Sequence, residues 1–380
     1  MSARFEPPSY PYDRLDECRR VAAAHDGGIV DLSVGTPGDP PPADVLAALN
    51  GGGDDHDRAS RGYPASAGSI DLRQAVQQWT KDRLGVPIPL NSVSVCVGTK
   101  EFVATTPAWL KLRYPERDTV LYPAVSYPTY EMGATLAGLR PVPVPVDSAW
   151  RLDVDAVSAE DVERAVMLWV NTPGNPAGAV DDVRALARWG LEKGVPVFSD
   201  ECYAEFTWHG PPRTVLGSGA GPDGLDGVVA VHSLSKRSNM AGMRVGWYAG
   251  DPDLVGYLRE VRKHAGFMVA GPVQRAATAA LGDQGHVEMQ RKRYGERLDF
   301  FRDVLARLGA EAPQPEGGFY LWVRAPGGDE WAWTRWLAEN GGVLVSPGSF
   351  YGAGGAGYVR VAMVAPMERL DLVARRLGVG

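Results

Sequence analysis

Three short apolar runs, each handing over to a polar cluster at its C-terminal end, constrain this chain more than any other feature. Ala165 to Val170 reads as a buried strand that ends in Asn171-Thr-Pro-Gly-Asn-Pro. Val195 to Phe198 is a second, ending in Ser199-Asp200-Glu201, and Val228 to Val231 a third, running into His232-Ser233-Leu-Ser-Lys236. Between the first two, Val183, Leu186, Ala187 and Leu191 fall at helical spacing within Asp181 to Lys193, and Gly194 stops that helix. Strands alternating with helices predict an α/β fold with a mostly parallel sheet, whose ligands bind at the C-terminal strand ends.

With 380 residues the chain can bury a large core and form more than one domain. Asp253 to His264 reads as a helix, and Gly271-Pro272 breaks the chain before another, Val273 to Leu281. Val287 to Leu308 is a long amphipathic helix, and its charges (Arg291, Lys292, Arg293, Glu296, Arg297) read as a solvated face rather than a binding patch. Strand-like runs at Gly318 to Val323, Val343 to Val345 and Tyr358 to Ala362, with a helix near Trp331 to Asn340, predict a smaller α+β domain.

A formal net charge of −7 argues against nucleic acid as the main partner, because phosphate backbones need a basic surface. No run approaches the roughly 20 apolar residues of a membrane helix, and Met1 to Leu15 lacks the apolar stretch of a secretory signal. Cys18, Cys96 and Cys202 are too dispersed for a disulfide framework or a zinc site, so a reducing cytoplasm is expected.

Lys236 lies in Ser233-Leu-Ser235-Lys236-Arg-Ser-Asn-Met-Ala-Gly-Met-Arg244. A lysine that forms an imine needs its pKa lowered by desolvation or a neighbouring cation, and this setting offers both. Ser233, Ser235 and Arg244 can grip a phosphate through hydroxyls and a forked guanidinium. Taken alone, the segment also fits a surface lysine in a serine-rich turn.

Asp200 closes a strand, where a buried carboxylate could keep a proton on the ring nitrogen of pyridoxal phosphate (PLP), with Tyr203 able to reach the ring's phenolic oxygen. An N-cap aspartate is the other reading. The Asn175 amide can donate to that oxygen and to a substrate carboxylate, although its loop is rich in ordinary turn formers. Val97-Gly98-Thr99-Lys100 follows the apolar Val93 to Val97 and opens a helix, a phosphate cradle of modest specificity. Tyr127 can lie against a flat cofactor or pack as a core aromatic.

Two further motifs are set aside. Gly352-Ala-Gly354-Gly-Ala-Gly357 matches the dinucleotide pattern but precedes a strand instead of opening a helix, so a loop is expected. Asp54-Asp55-His56-Asp57 lies in a Gly-rich turn and reads as a solvated loop rather than a metal site.

In order, these motifs and Arg360 resemble the class I/II aminotransferases of PLP fold type I, over nearly the whole chain. The resemblance implies a large domain over 41–270 with a mostly parallel seven-stranded sheet. Residues 1–40 and 271–380 would form the small domain. It implies Lys236 as the Schiff-base lysine, Asp200 at the pyridine nitrogen, Asn175 and Tyr203 at the phenolic oxygen and Tyr127 stacked on the ring. Thr99 and Lys100, through backbone amides after Gly98, would hold the phosphate with Ser233, Ser235 and Arg244. Tyr63 would reach the phosphate of the neighbouring subunit in a homodimer with shared sites. Arg360 would clamp the substrate α-carboxylate, with the Gly35 backbone beside it.

Local wording, such as Arg262-Lys-His-Ala-Gly-Phe-Met and Val345-Ser-Pro-Gly-Ser-Phe-Tyr-Gly, resembles the actinobacterial succinyldiaminopimelate aminotransferases of lysine biosynthesis. Glutamate and 2-oxoglutarate would then exchange an amino group with the succinylated 2-amino-6-oxopimelate. Arg61 and Arg237 are candidates for reading the distal carboxylates. The rivals are an aminotransferase for another amino acid, a lyase on the same fold, a PLP-sensing regulator, for which no basic DNA-binding segment is present, and a non-catalytic relative.

Overall fold

The structure is a computed structural model and describes residues 5–51 and 61–379; the Asp54–Asp57 turn lies outside the described residues. Twelve strands are present among them: β1 (Val30–Asp31), β2 (Val93–Cys96), β3 (Thr119–Pro123), β4 (Arg140–Val144), β5 (Ala165–Asn171), β6 (Val197–Asp200), β7 (Val228–Ser233), β8 (Gly246–Gly250), β9 (Tyr320–Arg324), β10 (Val343–Leu344), β11 (Ser346–Pro347) and β12 (Tyr358–Ala362). Seven form the central sheet in the order β2-β8-β7-β6-β5-β3-β4. Only β8 runs against its neighbours, so the expected mostly parallel seven-stranded sheet is observed.

Every residue of β5 is buried, which explains an unbroken apolar run where a half-exposed strand would alternate. Leu168 and Val170 face one core, which includes residues of helices Ile70–Leu84, Val183–Lys193 and Gly271–Gly282. Met167 and Trp169 face another, shared with helices Thr99–Arg113, Thr129–Leu136 and Pro252–His264. Gly194 ends its helix in the left-handed conformation, φ 64°.

Three boundaries shift for identifiable reasons. β6 extends through Ser199 and Asp200, and β7 through His232 and Ser233, because buried polar residues continue the ladder after the apolar run stops. Pro272 does not break the chain before its helix; it sits in the first turn, where no backbone donor is needed.

A separate core gathers Leu298, Phe301 and Leu305 from helix Gly285–Arg307 with Leu337, Leu370 and Val373. It lies against the antiparallel sheet β11-β12-β9 and the parallel pair β1-β10. The charged face of that long helix is only partly solvated. Arg297 is buried in a two-point pair with Asp39, at 2.7 and 2.8 Å, and Arg291 donates to the Glu205 and Thr207 carbonyls. The glycine motif at 352–357 forms a short 3-10 turn leading into β12, with Gly355 buried. No helix among the described residues is long and apolar enough to cross a membrane.

Candidate active site

Sheet register brings the polar clusters together. Asn171 at the end of β5 pairs with Asp200 at the end of β6, and Asp200 pairs with Val231 of β7. Asn171 ties two of them: its side-chain amide donates to the Asp200 carbonyl at 3.0 Å, and its Oδ1 accepts from the Asn175 backbone at 2.8 Å. Beyond β7, the Ser233 hydroxyl caps the short helix Leu234–Arg237 by accepting from Ser235 N at 3.0 Å. That turn sets Lys236 in a cavity of about 500 Å³.

The cavity brings together Asn175, Asp200, Tyr203, Ser233, Ser235 and Lys236 from the strand ends. Gly35, Thr99, Lys100, Tyr127, Arg244 and Arg360 reach it from elsewhere. Burial pushes the Lys236 amine down to about 8, with the Arg360 and Arg244 guanidiniums adding to the fall and Cys202 opposing it. Its Nζ donates to the Gly35 carbonyl. A lysine so placed is within reach of its neutral, nucleophilic form near neutral pH.

Burial also pushes the Asp200 carboxyl up, against hydrogen bonds from Tyr130 Oη to Oδ2 at 2.9 Å and from Cys202 N to Oδ1 at 3.2 Å. A cationic N–H beside it would favour the ionised form.

The anion end depends on Gly98 and Arg244. Gly98 has φ 77°, and a Cβ there would lie 2.2 Å from Arg244 Nη2, so only glycine leaves the guanidinium its place. Arg244 itself adopts a left-handed φ of 52° and donates to the Ala241 carbonyl at 2.7 Å. Beside it, the first turn of helix Thr99–Arg113 presents the Thr99 and Lys100 amides.

Arg360, on β12, is 2% exposed. Its Nη1 donates to Asn175 Oδ1 at 2.8 Å, and Nη2 donates to the Ser33 carbonyl and to Tyr12 Oη at 3.4 Å. Among the described residues Nε has no partner, and the Tyr320 and Tyr351 rings lie 4.3 and 5.0 Å from the guanidinium carbon. Among the described residues Arg360 has no carboxylate partner. A buried guanidinium without a counter-charge is costly and is suited to an incoming carboxylate.

Amine, carboxylate, anion cradle and flat Tyr127 ring together fit a phosphorylated aromatic aldehyde with a basic ring nitrogen. The arginine fits an acid beside it. Among the described residues, no group of three or more His, Cys, Asp or Glu side chains could hold a metal ion.

Arg237 and Arg61 lie outside the cavity, and Tyr63, expected at the neighbouring subunit's site, does not line it either. Arg237 turns away from the cavity: it pairs with Glu205 at 3.1 Å and donates to the Ser238 hydroxyl, the Ala280 carbonyl and Gln284. Its charge is already matched, so it is not free to read a substrate carboxylate. Arg61 is exposed and does not line the cavity. Tyr63 is 96% exposed and lines a different cavity of about 560 Å³ with Gln274 and Arg275. Conversely, Tyr10, Tyr12, Tyr130 and Tyr320 line the site without having been singled out. Only Tyr130 left a trace in sequence, as the second tyrosine of the Ser-Tyr127-Pro-Thr-Tyr130 motif.

A family model described as aminotransferase class I and II matches residues 28–377. The chain is 41% identical to the 4-dedimethylamino-4-oxo-anhydrotetracycline transaminase OxyQ of Streptomyces rimosus, covering 98% of this chain and 99% of that protein. It is 34% identical to an LL-diaminopimelate aminotransferase of Desulforudis audaxviator, covering 97% and 95%. A solved structure of a probable N-succinyldiaminopimelate aminotransferase from Thermus thermophilus superimposes with a TM-score of 0.84 at 29% identity, over 96% of this chain and 98% of that one.

Proposed function

The chain belongs to the class I and II aminotransferases, a PLP-dependent family of fold type I, and on that premise we propose that it exchanges an amino group between glutamate and N-succinyl-2-amino-6-oxopimelate. The observation that carries the catalytic part is one cavity holding Lys236, Asp200 and a carboxylate-free Arg360. The bound cofactor supplies the electron sink that makes the amino acid Cα–H acidic. Asp200 holds the proton on the ring nitrogen, and Tyr203 and Asn175 donate to the phenolic oxygen. Gly98 through Lys100, Ser233, Ser235 and Arg244 hold the phosphate. Arg360 would bind the α-carboxylate and orient Cα, and the Lys236 amine would take the Cα proton as general base and return it as general acid. Tyr63 completes the phosphate site of the other protomer in a homodimer.

The substrate assignment draws on the LL-diaminopimelate and N-succinyldiaminopimelate enzymes among the similar proteins. It also draws on the cations lining the cavity. With Lys236, Arg244 and Arg360 committed, Lys100 remains, its Nζ 5.0 Å from the Tyr10 ring centre and 3.4 Å from the Tyr10 hydroxyl. We assign it the distal carboxylate. A second reading comes from the 41% identity to a transaminase of a 4-oxo anhydrotetracycline: Tyr10 and Tyr127 would then accept a bulky oxo compound that has no distal acid.

Steady-state assays with a panel of oxo acceptors distinguish the two. The first reading expects the succinylated acceptor to be preferred over pyruvate and oxaloacetate, with Lys100→Met raising its KM about tenfold. Equal use of all three acids, or a KM untouched by Lys100→Met, contradicts it.

A further inference from the structure

Tyr320 joins the two halves of the site. It opens β9, pairs across the sheet with Ala362, and is 1% exposed. Its hydroxyl lies 2.8 Å from the Tyr203 hydroxyl, and its ring stacks 4.3 Å from the Arg360 guanidinium carbon. A Cβ at Gly35 would fall 2.0 Å from the same hydroxyl, so the glycine whose carbonyl accepts from Lys236 also packs against Tyr320. One side chain therefore touches the Tyr203 phenol, the Arg360 cation and the Gly35 backbone.

We propose that Tyr320 is a positioning residue with two separable parts, a hydroxyl that directs the Tyr203 proton and a ring that supports Arg360. The inference rests on the PLP site proposed above. A phenol has one proton. If Tyr203 gives its proton to the phenolic oxygen of the cofactor, the short contact to Tyr320 requires Tyr320 to donate to Tyr203. A hydroxyl that accepts a hydrogen bond becomes a better donor, by cooperative polarisation along the chain. The ring acts separately, through the attraction of a guanidinium to an aromatic face where both side chains are buried. The other titratable groups facing the pair are Arg360, Cys202, Tyr12 and Tyr127, with Lys236 on the far side of Gly35. Burial raises the pKa of both phenols, Tyr320 to about 12, so both are protonated at neutral pH and can donate.

The test uses the holoenzyme and the pH titration of its visible cofactor absorbance. Tyr320→Phe keeps the ring and removes the hydroxyl. It weakens donation by Tyr203, so the pKa of the absorbance change rises by about half a unit, with KM for glutamate kept within about twofold. In a Tyr203→Phe background the same substitution leaves that pKa where it is, because the route runs through Tyr203. Tyr320→Leu, which removes the ring, raises KM for glutamate about fivefold or more. An unmoved or lowered pKa in Tyr320→Phe, an equal shift without Tyr203, or an unchanged KM in Tyr320→Leu overturns the proposal. A wild-type protein with no visible band on adding PLP would instead sink the cofactor site itself, which separates the two failures.

Discussion

The floor of the cavity is laid by neighbouring strand ends, whereas its rim is assembled from segments far apart in the chain. Asn171, Asp200 and Val231 are register partners, and Ser233 and Lys236 follow directly from β7. At the rim, Tyr12 meets Tyr351 across 339 positions and Arg360 meets Ser33 across 327. Under the proposed function, the floor holds the amine and the carboxylate assigned to the cofactor, and the rim holds the arginine and aromatic groups assigned to the substrate. A sheet fixes its strand ends rigidly, which suits groups that must hold a proton or a covalent bond in place. A rim built from several segments can change its lining without disturbing that geometry, which suits recognition.

This contrast can be broken by substitution. Asp200→Asn, on the floor, should keep cofactor binding yet lower kcat about 10³-fold, because a neutral amide cannot hold the ring proton. Near-normal turnover, measured in single-turnover absorbance traces, would remove the floor from the chemistry. Arg360→Lys, at the rim, should act mainly on binding. Loss of the two-point carboxylate grip raises KM for glutamate about 10²-fold with a smaller change in kcat. A loss confined to kcat would mean that the arginine serves the reaction and not recognition.

The same contrast explains what the sequence made legible. The floor was readable because Asn171, Asp200 and Ser233 each close their own strand, so an apolar run followed by a polar residue marks the site. The end of β6 was misjudged for a related reason: hydropathy stops at Ser199, while the ladder continues through buried polar residues. Contacts between distant side chains left no such mark. The Tyr130–Asp200 bond spans 70 positions and the Tyr203–Tyr320 bond 117, and periodicity carries nothing about either.

Arg237 was misread because adjacent helical residues point about 100° apart. Lys236 faces the cavity while Arg237 meets Glu205, which also accepts from Trp79 and Arg83. Arg360 and Arg237 are both 2% exposed, and what separates them is a carboxylate that only the fold supplies.

The central claim is that Lys236 is the amine that holds the cofactor. Borohydride reduction of the protein incubated with PLP, followed by peptide mass analysis, tests it most directly. The expected result is a pyridoxyl adduct on the peptide containing Lys236, and in Lys236→Ala neither that adduct nor the visible absorbance band. An adduct on another lysine, or a band that survives in Lys236→Ala, would contradict it.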